Sequence, residues 1–158
     1  MNEPLLREIT RHWQHLRGRT YELLAVLQDA DLTKRLPFPE SETLGYQLQC
    51  MVAMADSLYS GLAGKDFSDH DTAFAVAKGQ VTVADLRAAM QRSDEKVLAA
   101  LNSTDPLKAG ETTMTPLRLY LYLTEHEAHH HGQLINFIYA HNLPIPPGWA
   151  EQWALSRV

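Results

Sequence analysis

Helical periodicity is the feature that most constrains how this chain can fold. Four segments place apolar residues three and four positions apart, and none shows sustained alternation of period two. The segments run over about residues 4–29, from 41 or 43 to about 62, 82–101 and 115–141. A tail over 148–158 predicts a short capping helix with Trp149 and Trp153 packed on the bundle. The pattern therefore predicts an all-α fold, a four-helix bundle with a short C-terminal helical tail.

Local signals agree with these helix boundaries. Pro37 and Pro39 forbid helix in the connector after the first segment. Thr82, with Asp85 three residues later, is typical of a capping box at the start of the third helix. Thr115-Pro116 predicts an N-cap followed by proline at the first helical position of the fourth. Polar stretches over 65–79 and 102–114 are the predicted long loops.

Length and composition restrict the class of protein. With 158 residues and 45% hydrophobic content, we expect one domain over 1–158. A net charge of -5 without a block of Lys or Arg argues against nucleic acid as a partner. The N-terminus lacks the apolar core of a signal peptide, and no apolar run is long enough for a membrane span. Cys50 is the only cysteine, so no internal disulfide can form, and we expect a cytoplasmic protein.

The fourth helical segment carries a histidine cluster at residues 125–133, with four of the eight histidines. His126 and His130 lie one helical turn apart, at positions that the periodicity assigns to the core. A buried histidine pair needs partners for four ring nitrogens, and coordination of a metal ion supplies them. The pattern predicts these two residues as metal ligands. His129 flanks the same face, and His131 is predicted to point into solvent.

The same residues also match H-E-x-x-H, the zinc-protease motif, as His126, Glu127 and His130. Gln133 and Asn136 stand where the longer form of that motif has a glycine and a third histidine. No predicted strand could hold an extended substrate. A hydrolase of this type is therefore a minor alternative, and Glu127 is predicted to lie at the surface or behind the metal ligands.

The chain resembles the DinB/YfiT-like superfamily. The run from His126 to Leu134 is similar to the H-E-x-H-H-R-G-Q motif of the last core helix, with His131 where arginine is common. Leu143-Pro144-Ile145-Pro146 follows it, and Thr43-Leu44-Gly45 and Tyr59 to Leu62 resemble the signals around the second helix. Helix order and connector lengths resemble those of the family over essentially the whole chain.

The resemblance implies a divalent metal, often zinc or nickel, held by one histidine of the second helix and two of the last core helix. The latter correspond to His126 and His130. Cys50 stands where the family has its third histidine, and a thiolate is a competent zinc ligand. Its position lies about 120° from the centre of the helix's apolar stripe. His12, predicted to face inward from the first helix, is the other candidate, and loss of the metal is a third alternative.

The family also implies a function. Its characterised branches are bacillithiol transferases and mycothiol-dependent isomerases, in which the metal activates a low-molecular-weight thiol. We therefore expect a metal-dependent thiol transferase acting on small electrophiles such as epoxides, halides or unsaturated acids. Because a Cys50 thiolate would weaken the Lewis acidity of the metal, a non-enzymatic metal-binding or stress-response protein is the alternative. Zinc is favoured over nickel for one thiolate and two imidazoles, and the resemblance implies a homodimer. Catalytic residues, as distinct from ligands, are not identifiable from the sequence. The walls of the substrate pocket are expected to come from the loops over 63–80 and 102–115.

Overall fold

A computed structural model of the protein describes residues 2–62, 81–103, 107–109 and 112–156. Four long helices and one short one contain most of these residues. They are α1 (Glu3–Val26), α2 (Leu44–Leu62), α3 (Val83–Leu101), α4 (Pro116–Ala140) and α5 (Pro147–Trp153). A 3₁₀ turn, Asp29–Thr33, follows α1. The predicted all-α bundle with a helical tail is confirmed, whereas the predicted loop over 65–79 lies outside the described residues.

The predicted helix starts are confirmed by their caps. The Thr82 hydroxyl accepts from the backbone N–H of Asp85, and the Asp85 carboxylate accepts in return from the N–H of Thr82, which completes the capping box of α3. The Thr115 hydroxyl caps α4 by accepting from the N–H of Arg118. These bonds satisfy backbone donors that have no partner inside the helix.

A short antiparallel hairpin was not predicted. Strands β1 (Leu107–Ala109) and β2 (Thr112–Met114) pair within the segment that the sequence assigned to a loop. Each strand has three residues, too few to display alternation of period two. The hairpin follows α3 and leads into α4.

The start of α2 packs closely on the 3₁₀ turn. A β-carbon at Gly45 would lie 2.9 Å from the carbonyl oxygen of Leu32, so only glycine allows this approach without displacement. An isolated bridge between Arg35 and Thr43 closes the connector that joins the two elements. These contacts fix where the first turns of α2 lie, and with them the side chains that the helix presents to α4.

Apolar side chains from all four long helices form the core. Its larger cluster, which also includes α5, contains among others Leu23, Leu24, Leu44, Leu48, Met51, Leu86, Met90, Leu134, Phe137 and Trp149. A second cluster contains among others Ile9, Trp13, Val97, Leu101, Leu119 and Leu123. No helix within the described ranges is long and apolar enough to cross a membrane.

A buried polar network joins α1, α3 and α4. Arg17 of α1 is 2% exposed, and its guanidinium lies 2.9 Å from the Asp94 carboxylate on α3 and 3.0 Å from the Glu127 carboxylate on α4. Thr20 donates to Glu127 and accepts from His131 Nε2 at 2.8 Å. Burial raises the pKa of both carboxyl groups, and the Arg17 charge opposes that rise. One buried cation thus pairs with a buried acid on α4 and a partly buried acid on α3.

Glu127 and His131 correct two sequence-based predictions. Glu127 is 1% exposed and His131 is fully buried, with its ring centroid 4.7 Å from that of Trp149 on α5. The prediction gave α4 a single buried face, directed at the metal site. Instead α4 contacts α1, α2 and α3, so its buried surface is wider than one seam. Burial lowers the pKa of His131 to about 3, because its imidazolium would be poorly solvated and close to Arg17.

We expect Arg17→Met to lower the free energy of unfolding by about 3–5 kcal/mol at neutral pH, because the buried Glu127 carboxylate and the partly buried Asp94 carboxylate lose their counter-charge. Urea denaturation followed by circular dichroism measures the change. The loss should shrink as pH falls, since protonation neutralises the orphaned acids. Arg11→Met is the matched control: Arg11 forms an exposed ion pair with Glu8 at 3.0 Å, and its loss should cost below about 1 kcal/mol. Equal effects of the two substitutions would contradict a stabilising role for the buried network.

Candidate metal centre

Three side chains with metal-binding atoms converge between α2 and α4. One ligand atom each from Cys50, His126 and His130 lies within 4.8 Å of the others. Cys50 comes from α2, and the two histidines come from successive turns of α4. The structure thus brings together the three residues that the sequence analysis selected as ligands.

The distances within this group suit a metal ion. His126 Nε2 lies 3.2 Å from His130 Nε2 and 3.7 Å from Cys50 Sγ. Tetrahedral zinc with ordinary bond lengths places two nitrogens about 3.4 Å apart, and nitrogen and sulfur about 3.6 Å apart. The donor set therefore fits zinc in chemistry, and the two distances from His126 fit it in spacing.

Gln47 determines which nitrogen of His130 can bind a metal. This buried residue lies one turn before Cys50 on α2, and its Oε1 is 2.9 Å from His130 Nδ1. A carbonyl oxygen can only accept, so Nδ1 carries the proton and Nε2 keeps its lone pair. That lone pair is on the nitrogen nearest to His126. Metal-binding histidines are commonly oriented by such a partner on the other ring nitrogen.

Electrostatics also favour metal binding at neutral pH. Burial, together with nearby His126 and His129, lowers the pKa of His130 to about 4. The imidazole is therefore neutral and available as a ligand. Burial raises the pKa of the Cys50 thiol, so a bound cation would be needed to stabilise its thiolate.

A cavity of about 840 Å³ opens beside the three candidate ligands. Gln133, Asn136 and His129 of α4 contribute to its wall, and the connector over 36–42 forms much of the opposite side. Sequence analysis expected the pocket walls to come from 63–80 and 102–115. The first of these ranges lies outside the described residues, and the described part of the second does not line the cavity.

The site lies at the edge of the core, not in its centre. The buried face of α4 is centred near Leu123, Glu127 and Leu134, whereas His126 is half-buried. Tyr122, one turn before His126 on α4, is 48% exposed. Cys50 is half-buried too, which agrees with its predicted position at the edge of the α2 stripe. Such a position leaves the ligands accessible from the cavity.

His12, the alternative third ligand, does not reach this site. Its side chain is exposed, and its Nδ1 lies 2.9 Å from the Tyr120 hydroxyl. Trp13, the next residue, is 1% exposed and occupies the core-facing position that the sequence gave to His12. His129 flanks the site as predicted, with its ring centroid 5.3 Å from that of His130.

The H-E-x-x-H match does not describe a protease site. The Glu127 carboxylate is buried against Arg17 and Thr20, on the side of α4 that faces α1. It is therefore not available as a base in the cavity. Sequence reasoning missed Gln47 and the connector over 36–42. The available signal was the spacing of Gln47, three residues before Cys50, which places both on one helical face.

Comparisons with known proteins identify the family. The sequence profile of the DinB superfamily matches residues 12–134. The fold is similar to the crystal structure of a DinB-like protein from Bacillus cereus, with 19% sequence identity and a TM-score of 0.65. The match covers 87% of this chain and 93% of that one. No curated protein sequence matches the chain. The chain belongs to the DinB superfamily.

Proposed function

We propose that this protein binds a divalent metal ion, zinc in preference to nickel, through Cys50, His126 and His130. We further propose that it transfers a low-molecular-weight thiol to a small electrophile in the adjoining cavity. The observation that carries the proposal is the convergence of three ligand atoms at the wall of an 840 Å³ cavity. A metal held by three protein ligands would supply Lewis acidity at a position open to a substrate.

The residues around the site have separate roles in this proposal. Gln47 holds His130 in the tautomer that presents Nε2, and the buried setting of His130 keeps its ring neutral. The helical spacing of His126 and His130 fixes two ligands on one rigid element. The cavity wall then has to bind and orient the substrate beside them.

A non-enzymatic metal site is the second candidate. The specific observation in its favour is Cys50, because a thiolate ligand donates charge and weakens the Lewis acidity of the ion. In that case the protein would bind zinc tightly but would not accelerate the reaction of thiols with electrophiles. Metal binding supports both candidates, so turnover is the measurement that separates them.

Three other expectations from the sequence stay predictions: a single domain over 1–158, a cytoplasmic location and a homodimer. The family membership supports the last of these only by analogy.

Metal binding is tested first with protein purified without a histidine tag. We expect about one zinc per chain by mass spectrometry, and negligible zinc in the His126→Ala, His130→Ala double variant. Cys50→Ser should weaken zinc binding by more than the roughly 10- to 100-fold that loss of a supporting partner costs.

The matched control for that experiment removes two histidines elsewhere. His12→Ala, His15→Ala should keep its zinc, since both side chains are exposed on α1. Equal, negligible zinc in the wild type and the ligand variant would refute the site. An unchanged zinc affinity in Cys50→Ser would show that Cys50 is not a ligand.

The role of Gln47 is tested with Gln47→Leu. We expect zinc affinity to fall about 10- to 100-fold, because His130 loses the acceptor that fixes its tautomer. Nitrogen-15 NMR of the histidine rings should show His130 protonated at Nδ1 in the metal-free wild type and a mixture of tautomers in the variant. Gln49→Leu makes the same change two residues along α2 and should alter neither. Identical tautomers in wild type and Gln47→Leu would contradict this role.

The proposed reaction is tested by incubating zinc-loaded protein with bacterial thiols and a panel of epoxides, halides and unsaturated compounds. Free thiol, measured with a chromogenic disulfide, should disappear faster than in the uncatalysed reaction. The His126→Ala, His130→Ala variant should lose this acceleration. Zinc-loaded protein that accelerates none of these reactions would favour the non-enzymatic alternative.

A further inference from the structure

We propose that the cavity takes a small molecule with an aromatic or other apolar body and no negative charge. This inference rests on the proposed function and narrows its substrate class. It comes from three features of the described wall, which is formed by α4 and by the connector over 36–42.

The first feature is an unsatisfied acceptor. Gln133 lines the cavity, and its buried Oε1 makes no hydrogen bond of ordinary geometry among the described residues, its side chain having only a looser polar contact with His130. It follows His130 by three residues, which corresponds to about 4.5 Å along the helix axis. A buried acceptor without a partner is costly. A ligand with an N–H or O–H group at this distance from its reacting atom would satisfy it.

The second feature is an apolar part of the cavity wall. Phe137 and Ala140 lie about 10 and 15 Å beyond His130 along α4, at a rise of 1.5 Å per residue. Leu36, Pro37 and Phe38 of the connector line the same cavity. Phe38 is 52% exposed, so its ring can be covered by a ligand. An apolar body on the ligand would therefore remove apolar surface from water.

The third feature is the negative charge of the cavity lining. The described lining contains Glu40 and Glu42 and neither lysine nor arginine. Glu42 lies 3.8 Å from Arg35, whereas Glu40 has no cationic partner in the described part of the chain. A carboxylate ligand would meet an unpaired negative charge. Among the electrophiles expected from the family, this disfavours unsaturated acids and favours neutral epoxides and halides.

The main experiment uses three thiols with the same ring: phenylmethanethiol, and its para-aminomethyl and para-carboxylate derivatives. Each is titrated into zinc-loaded protein by calorimetry. We expect the carboxylate to bind at least about 3-fold more weakly than the other two, because of its repulsion by Glu40. Equal or tighter binding of the carboxylate would overturn the proposal.

Two variants at exposed positions test which residues of the cavity wall cause these differences in thiol binding. Glu40→Lys should reverse the preference for the amine over the carboxylate. Phe38→Ala should weaken all three aromatic thiols by about 2- to 12-fold, the range for one aromatic contact, and leave 2-mercaptoethanol unchanged. Both residues are exposed, so neither change should reduce stability. Unaltered binding in both variants would contradict the assigned wall.

A second arm separates this inference from the proposed function. Benzyl alcohol, benzylamine and benzoate lack a thiol and are titrated into metal-free protein by amide NMR. We expect shifts at Gln133 and Phe38, with benzoate the weakest ligand. If zinc-loaded protein binds no thiol but this ranking holds, the thiol function fails and the cavity assignment stands. If these resonances do not shift, or benzoate binds as well as benzyl alcohol, the cavity assignment fails.

Discussion

The contact on which the arrangement of this bundle depends is the buried pairing of Arg17 with Glu127 and Asp94. A buried charge is tolerated only when its partners are in place, so the pairing accepts few relative positions of α1, α3 and α4. Apolar packing alone is less selective, because similar side chains can interdigitate in several registers. With Glu127 directed at α1, the rotation of α4 about its axis is set. His126 and His130 are then directed at α2.

The helices and their boundaries were predictable because they follow from local rules. Thr82, Thr115 and Pro116 act on neighbouring backbone groups, and the apolar spacing of each helix is visible in the sequence alone. The rotation of a helix is harder to predict when several neighbours cover it. His131 was assigned to solvent because the covering residue, Trp149, comes from a tail far along the chain. His12 was predicted to face the core, but the core-facing position belongs to the next residue, Trp13.

The candidate metal centre was predictable for related reasons, and only in part. His126 and His130 are one turn apart on one helix, so their proximity is a local property. Cys50 was found through the resemblance to the family, since its position at the edge of a stripe carries no signal of its own. Gln47 and the connector over 36–42 could not be found, because their contact with the site depends on how α2 packs against α4.

Because the site lies at the edge of the core, the residues that stabilise the fold differ from the residues that form the site. Residues that carry stability, such as Trp13 and Leu134, lie deep in the bundle, whereas Cys50 and His126 are half-buried and the connector is largely exposed. Either histidine or cysteine can therefore occupy such a half-buried position with little effect on packing. The connector wall can also diverge without disturbing the helices. In this architecture, the lining of the cavity can change on a scaffold whose interior stays constant.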